Sequence, residues 1–249
     1  MKRFLFLFVI CSTVSCQYDK VSVPASSSVR DQTTEISEPN PPQTELKPTE
    51  VLESYSNHSV IGRPGHSKIE MQIVKRGEFR TYHSDNLAVI RFYSRDASKN
   101  WELKQTIEIA DDAIHEANPK FRDFNGDGLK DITFISGIAA RGANEIRTLL
   151  IYDKISDKLI HIENSSEYPN IAYNKKLKCV DAWRVYGGTA TDFAKIEGNR
   201  LHTFAVVENF DGYRTVTVYD RNDQGKVINR IKISDDDLYT RYSNFRPVK

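Results

Sequence analysis

The feature that most constrains the fold is a series of short segments in which apolar and polar residues alternate. They recur from about residue 68 onward, are rich in Val, Ile, Tyr, Phe and Thr, and include "IEMQIVK", "LAVIRFYS", "DITFIS", "IRTLLIYD" and "RTVTVYD". Alternation with a period of two is typical of a strand with one buried face, whereas a helix repeats every three to four residues. No long stretch of the sequence has a helical face. The sequence therefore predicts an all-β chain.

One hairpin unit recurs loosely along these strands. The segments "VIRFYSRDASKNWEL", "LLIYDKISDKLIHI" and "VTVYDRNDQGKVINRI" each contain a strand, a polar turn and a return strand, with Tyr93, Tyr152 and Tyr219 in corresponding places. A strand that ends in an aromatic residue and meets an Asp, Asn, Ser or Gly turn is typical of a hairpin. Repeated hairpins predict an antiparallel meander, which folds as a barrel, a sandwich or propeller-like blades. The sequence does not choose among these three.

The N-terminus predicts export. Residues 1–15 read "MKRFLFLFVICSTVS", in which Lys2 and Arg3 precede an apolar run that ends in small residues. This order is typical of a signal peptide. The apolar run is too short to cross a bilayer as a helix. We therefore expect residues 1–15 to be a signal peptide that is removed on export.

The end of this segment resembles the lipobox of bacterial lipoproteins. Thr13, Val14, Ser15 and Cys16 stand in its four positions, although the family usually has Leu where this chain has Thr13. The resemblance implies that Cys16 is acylated, becomes the new N-terminus and anchors the protein in the bacterial envelope. Gln17, which is not an aspartate, favours the outer membrane under the sorting rule of enteric-type lipoproteins. We expect the domain to face the periplasm, although the sorting rule does not specify the face. The alternative is ordinary secretion after cleavage near Ser15.

A flexible tether is expected between this anchor and the folded part. Residues 17–54 hold five of the nine prolines together with many Ser, Thr and Glu, and their apolar residues follow no regular period. Such a segment cannot bury enough apolar surface to fold. As a flexible coil it would span roughly 35 Å. We assign residues 16–59 to the lipidated N-terminus and the tether, and residues 60–249 to one all-β domain.

Charge and cysteine content limit the function further. The chain has 35 Lys and Arg against 34 Asp and Glu, without the basic patch that nucleic-acid binding requires, so we expect no nucleic-acid partner. Cys11 leaves with the signal and Cys16 carries the lipid, so that only Cys179 remains. It lies among strand-forming residues in "KLKCVDAW", which predicts a buried thiol without chemistry.

An acidic loop interrupts the strands in "PKFRDFNGDGLKDITFISG", residues 119–137. Calcium takes six to eight oxygen ligands, and a loop that offers oxygens at positions 1, 3, 5, 7 and 9 supplies them. Gly128 allows the sharp backbone turn that brings the later donors round. The spacing predicts one structural calcium ion, bound by the side chains of Asp123, Asn125, Asp127 and Asp131 and by the main-chain carbonyl of Leu129.

Two other interpretations of this loop are an EF-hand and a simple hairpin turn. An EF-hand needs a bidentate glutamate at position 12, where this chain has Phe134, and it needs flanking helices where "DITFIS" predicts a strand. An Asn-Gly and Asp-Gly hairpin turn with solvated carboxylates is the simpler alternative. Three clustered carboxylates would repel one another without a cation, which favours the calcium site.

At this loop the chain resembles the FG-GAP and VCBS type of calcium loop, in which an aromatic residue precedes D-x-N-x-D-G-x-x-D and a strand follows. The wider segment "FRDFNGDGLKDITFISG", "IAARGANEI" and "RTLLIYD" is similar to a family of bacterial periplasmic lipoproteins over residues 70–235. That resemblance implies an all-β domain with one structural calcium ion. Some members of the family inhibit lysozyme-like peptidoglycan hydrolases, which implies such a hydrolase as the protein partner.

The loop "SGIAARGAN", residues 136–144, is the candidate partner-binding segment. Small residues give it little bulk, so it fits a cleft, and the flanking strands would hold its base. Arg141 lies near its tip, where its guanidinium suits the paired acidic groups of a glycosidase cleft. The alternative is a mobile hairpin loop with a solvated arginine. The candidate contact residues are Ser136, Gly137, Arg141, Gly142 and Asn144.

The sequence favours a binding protein over an enzyme. The six histidines form no HExxH motif, and the chain contains neither GxSxG nor a phosphate-binding glycine loop. The leading hypothesis is an envelope-anchored, calcium-stabilised inhibitor of a lysozyme-like hydrolase, without catalytic residues of its own. Two alternatives are an envelope-scaffolding or adhesion lipoprotein and a wall-associated hydrolase.

Overall fold

The structure is a computed structural model that describes residues 50–75, 86–111 and 116–246. The predicted signal peptide, Cys16 and the first part of the predicted tether lie outside the described residues. Fourteen strands and three short 3-10 turns make up the regular structure of the described part. None of its helices is long or apolar enough to cross a membrane. The prediction of an all-β chain is confirmed.

The strands form three antiparallel sheets, each built from consecutive strands. Sheet 1 contains β1 (Glu50–Asn57), β2 (Ser67–Lys75), β3 (Asn86–Arg95) and β4 (Trp101–Asp111). Sheet 2 contains β5 (Lys120–Arg122), β6 (Asp131–Ala139), β7 (Asn144–Asp153) and β8 (Lys158–His161). Sheet 3 contains β9 (Ala172–Asn174), β10 (Cys179–Val185), β11 (Thr189–Glu197), β12 (Arg200–Phe210), β13 (Tyr213–Tyr219) and β14 (Gly225–Lys232).

β1 corrects the predicted boundary between tether and domain. Residues 50–57, assigned to the tether, pair with β2 from Glu50 opposite Lys75 to Asn57 opposite Ile69. The segment "EVLESYSN" is mostly polar and mostly exposed, because it is an edge strand that gains its place through backbone pairing. Its sequence therefore lacks the alternation of apolar and polar residues that indicates a strand.

Sheets 1 and 2 pack face to face through one apolar cluster. Alternate residues of β2, such as Ile69 and Met71, and alternate residues of β3, such as Phe92, meet Phe134 and Tyr152 of sheet 2. All of these side chains are almost fully buried. The period of two seen in the sequence is therefore the period of this interface.

Sheet 2 is buried on both faces, and β7 shows how. Leu150 and Tyr152 point into the cluster with sheet 1, whereas Leu149 and Ile151 point into a second cluster with sheet 3. A strand covered on both faces has a continuous apolar run, which is why "TLLIY" does not alternate. Sheet 2 is thus the middle layer of a stack of three.

The two outer faces of the stack are closed differently. On sheet 1, Lys68 forms an ion pair with Glu70 at 2.6 Å, and the Tyr93 hydroxyl donates to Glu70 at 2.8 Å. On sheet 3, the segment 233–246 crosses the outer face as a strap: the Tyr242 amide donates to the Thr191 hydroxyl at 3.0 Å. The outer face of sheet 1 is therefore polar around Glu70, with a small buried cluster of Val74, Leu87 and Val89 beside it, whereas the outer face of sheet 3 is a covered apolar face.

The connectivity of the sheets bears on the predicted barrel, sandwich or propeller. Each sheet is an open meander, and no sheet of the described part closes on itself as a barrel. The three meanders pack face to face, which leaves a sandwich or propeller-like blades and excludes a barrel in this part of the chain. The three predicted hairpins are present as β3–β4, β7–β8 and β13–β14. Their tyrosines do not hold corresponding places, because Tyr152 faces the core, Tyr93 lies on the outer face of sheet 1 and Tyr219 is half-buried in sheet 3.

Candidate functional site

The candidate site residues lie at the two ends of β6. The acidic loop precedes the strand and the predicted partner loop follows it. A nine-residue strand separates its two ends by roughly 26 Å. The two features are therefore separate sites joined by one rigid element, and we call their sides of the molecule the loop end and the turn end.

Backbone amides close the acidic loop onto its own side chains. The Asp123 carboxylate accepts from the amide of Gly126 at 2.6 Å and from that of Gly128 at 2.9 Å. Asn125 accepts from the amide of Asp127 at 3.0 Å. Gly126 has a φ of 79°, and a Cβ there would lie 2.7 Å from the Tyr173 hydroxyl, so this position suits only glycine. The loop is an ordered structure rather than a loose turn.

Asp131 is the buried member of the acidic set, with no exposed surface. Its carboxylate accepts from the Phe124 amide at 2.6 Å and from the Tyr152 amide at 2.9 Å, so it joins the loop to β7. Burial is the main reason that the pKa of this carboxyl is raised to about 7, and the carboxylates of Asp127 and Asp123 add to the rise. The backbone amides act in the opposite direction.

The donor set of the loop fits calcium chemically. All its side-chain donors are oxygens, and oxygen is the ligand that calcium prefers. Burial is the main cause of the raised pKa of Asp131, with the negative charges of Asp127 and Asp123 as smaller causes, and a cation among these groups would offset that repulsion. Among the described residues, however, no three His, Cys, Asp or Glu side chains converge as a ready metal cluster. The predicted donors lie in one loop. Backbone amides of the same loop donate hydrogen bonds to its carboxylates.

The turn end corrects the extent of the predicted partner loop. β6 continues through Ala139 and β7 begins at Asn144, so that only residues 140–143 lie outside the strands. Ser136 is the extra residue of a bulge, because Ile135 pairs with Arg147 while Gly137 pairs with Ile146. Backbone pairing extends the hairpin beyond "DITFIS" even though the residues that follow are small.

The residues at the tip of this turn have an unusual backbone. Ala140, Arg141 and Gly142 have φ values of 49°, 55° and 97°, and all three are exposed. The left-handed region is unfavourable for residues with a Cβ, but tight hairpin turns use it because it matches the twist of the flanking strands. Arg141 is therefore exposed at the tip of a tight hairpin between β6 and β7.

Two asparagines outside the tip hold the turn against sheet 3. The Asn144 amide donates to the Val185 carbonyl and accepts from the Val185 amide, both at 2.9 Å. The Asn170 side chain donates to the Ala143 carbonyl at 2.8 Å and to the Trp183 carbonyl at 2.9 Å. We call this pair the asparagine clasp. Asn144, predicted as a partner contact, is therefore part of the support of the turn.

An exposed aromatic pair lies at the same end, one residue beyond Val185. Tyr186 and Phe210 are 41% and 51% exposed, and their rings stack with centroids 6.1 Å apart. The Tyr186 hydroxyl donates to Glu208 at 2.5 Å, which fixes the ring. A Cβ on Gly188 would lie 2.2 Å from the Asn209 carbonyl oxygen, so the turn after Tyr186 needs glycine.

Sequence reasoning missed this aromatic pair. The only local signal is the glycine pair in "WRVYGGTATDF", which predicts a strand-to-strand turn but not the partner of Tyr186. Phe210 comes from a different hairpin, and the ladder between β11 and β12 places the two residues together. Burial of Cys179, by contrast, is confirmed: it is 3% exposed, and burial raises the pKa of its thiol to about 12.

The chain matches no protein-family model, and no curated protein matches it significantly. Among solved structures it is similar to a Xanthomonas protein described as related to a type IV secretion system. The identity is 12% and the TM-score is 0.45, over 73% of this chain and 98% of that one. The likeness is distant.

Proposed function

We propose that this protein is an envelope-anchored, calcium-stabilised binding protein that inhibits a lysozyme-like peptidoglycan hydrolase. In this proposal the protein blocks the active-site cleft of the hydrolase and carries no catalytic residues of its own. The observation that supports this best is the turn end, where Arg141 stands on an exposed, left-handed turn at the same end of the molecule as the stacked pair of Tyr186 and Phe210.

The composition of the turn end suits a protein interface. Arginine, tyrosine and other aromatic residues carry much of the binding energy in interfaces, and stacked rings lose little freedom on binding. The asparagine clasp holds the turn before any partner arrives, which lowers the entropic cost of docking. A narrow turn of small residues with one guanidinium is suited to a cleft lined by carboxylates.

Calcium has a structural role in this proposal. The ion would be held by the side chains of Asp123, Asn125, Asp127 and Asp131 and by the Leu129 carbonyl, and it would supply positive charge among three carboxylates. Asp131 connects the loop to the amide of Tyr152 on β7. Because β6 and β7 also carry the turn end, an ordered loop keeps the hairpin's base in place.

Anchoring completes the proposal and has its own test. Acylation of Cys16 would place the domain in the envelope on a tether. We expect the Cys16→Ala variant to leave the membrane fraction, either released into the soluble envelope fraction or left unprocessed. Detergent-phase partitioning that is the same for wild type and variant would contradict the lipid anchor.

Inhibition is tested by assaying the full chain against a panel of hydrolases. The panel contains animal, invertebrate and phage-type lysozymes and secreted bacterial wall hydrolases, with release of fragments from labelled peptidoglycan as the readout. We expect inhibition of at least one enzyme, and a loss of about tenfold or more in inhibition constant for Arg141→Ala or Tyr186→Ala, as for hot-spot residues. Arg221→Ala, an exposed arginine on another turn, is the matched control.

The outcomes separate three possibilities. Absence of inhibition across the panel would move the function to envelope scaffolding or adhesion. Inhibition that neither variant weakens would keep the function and place the contact surface elsewhere. Release of fragments by the protein alone would identify a hydrolase and overturn the binding role.

A further inference from the structure

A cleft opens between sheets 2 and 3 at the loop end, far from the aromatic pair. Its volume is about 390 Å³, within the range of small-molecule sites. Its apolar floor joins the two sheets and consists of Phe124, Ile151, Ile160, Cys179, Val180 and Ile196. Phe124, Ile151, Cys179 and Val180 are buried, and Ile160 and Ile196 are the partly exposed members, so the edge of the core between these sheets forms the floor.

Three lysines from three different segments line the cleft. Lys154 is on the turn between β7 and β8, Lys178 on the turn between β9 and β10, and Lys195 on β11; all three are exposed. Within the described part of the chain, the ammonium groups of Lys154 and Lys178 have no hydrogen-bond or ion-pair partner. Lys195 lies 5.9 Å from the centre of the Phe204 ring, a weak contact. These cations are available to a ligand.

The acidic groups of the cleft are fewer and are already engaged. Asp153 accepts from the amides of Ile155 and Ser156, each at 3.1 Å, and from the Ser156 hydroxyl at 2.6 Å. Asp127 accepts from the Leu129 amide at 2.8 Å. Three exposed lysines, two of them without a partner in the described part of the chain, thus stand against two carboxylates that already bond to their own turns.

We propose that this cleft binds a small amphiphile with one anionic head group, a carboxylate or a phosphate, and a short apolar tail. The apolar floor takes the tail and the lysines take the head. Lysine recognises anions as a point charge rather than through a fixed fork, which suits either head group. This site lies at the opposite end of β6 and β7 from the turn proposed to bind the hydrolase, although Asn125 and Asp127 of the acidic loop also line it.

The experiment is a titration of the full chain followed by ¹⁵N–¹H NMR, with octanoate as the probe. Octyl phosphate distinguishes a preference for phosphate from one for carboxylate. Octanol and octylamine carry the same tail with a neutral and a positive head, and acetate carries the head alone. We expect shifts of the Phe124, Val180 and Ile196 amides, with octanoate or octyl phosphate binding about fivefold or more tighter than octanol.

Substitutions then test the lysines. Lys178→Gln and Lys154→Gln should each weaken octanoate binding about threefold, as expected for an exposed charge pair, and added salt should weaken it further. Lys226→Gln, an exposed lysine on β14, should have no effect. All three positions are exposed, so the variants are expected to fold.

Four results would overturn the proposal. Octanol or octylamine that binds as tightly as octanoate would leave an apolar cleft without anion recognition. Acetate that binds equally well would leave a bare charge site. Shifts confined to amides outside the cleft, or no shift with any probe at millimolar concentration, would remove the site.

Discussion

The two connections that flank β6 reach order by opposite means. The acidic loop is held from inside, because the carboxylates of Asp123 and Asp131 accept the amides of their own segment and of β7. The turn between β6 and β7 is held from outside, by Asn144 and Asn170 against sheet 3. Its tip residues are exposed and contribute little to their own stability.

This difference separates stability from presentation. A loop that buries a carboxylate concentrates negative charge, and it needs either protons or a cation to offset that charge. When a turn is supported by residues outside it, the side chains at its tip remain available to contact another molecule. Substitutions should therefore cost folding energy at the loop end and binding at the turn end.

Removal of the Asp131 carboxylate should have the largest effect. Asp131→Ala leaves the buried amides of Phe124 and Tyr152 without an acceptor, and each unsatisfied group costs about 1–3 kcal/mol. We expect the free energy of unfolding, measured by urea titration in chelator, to fall by about 2–5 kcal/mol. Asp153→Ala removes similar bonds from an exposed turn and should cost less than about 1 kcal/mol. Equal losses of unfolding free energy in the two variants would contradict a larger contribution of the buried Asp131 carboxylate to stability.

Chelation should have the next largest effect. A ligand that binds only the folded state adds about 2.7 kcal/mol at a hundred times its dissociation constant, so removal of calcium should lower the melting temperature by about 5–10 °C. Asp127→Ala should abolish this dependence, whereas Asp220→Ala, in a turn of sheet 3, should retain it. If the stripped wild-type protein melts identically with calcium and with chelator, the loop is only a hairpin turn.

Loss of one arm of the asparagine clasp should cost somewhat less. Asn170→Ala removes bonds to the Ala143 and Trp183 carbonyls, and we expect a loss of about 2 kcal/mol together with weaker hydrolase inhibition. Asn199→Ala, which removes an exposed contact with Glu163, should change the stability by less than about 0.5 kcal/mol. Stability lost without any change in inhibition would show that the partner does not use this turn.

The smallest effect should be a gain. Ala140→Gly relieves a left-handed residue at the tip and should stabilise the protein by up to about 1 kcal/mol, measured as a shift in the urea midpoint. Ala143→Gly, three residues later at a φ of −73°, is the matched control and should destabilise it slightly. The opposite order would mean that the φ of Ala140 does not strain the turn.

The fold class was predictable because the period of two reports directly on one-sided burial. That signal fails where burial is absent or two-sided. β1 is an exposed edge strand without an apolar face, and it was assigned to the tether. β7 is buried on both faces, and its apolar run says nothing about which neighbours it has.

The candidate site was predictable only in its local part. Asp131 could be picked out by its spacing from Asp123, but its bond to the Tyr152 amide depends on the register of β6 and β7. Asn170 lies 27 residues from the carbonyl it holds, and Tyr186 lies 24 residues from Phe210 in the chain. Pairings of this kind arise from stacking of the sheets, which no single segment encodes.

The stack of meanders also limits how a chain of this kind can gain or lose whole sheets during evolution. Each sheet comes from one continuous stretch, so insertion or loss of a whole meander would leave the ladders of the others intact. The constraint falls on the terminal layers, because repeat arrays need ends that tolerate water. Here one terminal layer has the polar face around Glu70 and the other has the strap around Tyr242. We expect a longer relative to gain sheets between these two terminal layers and to keep the outer faces of both.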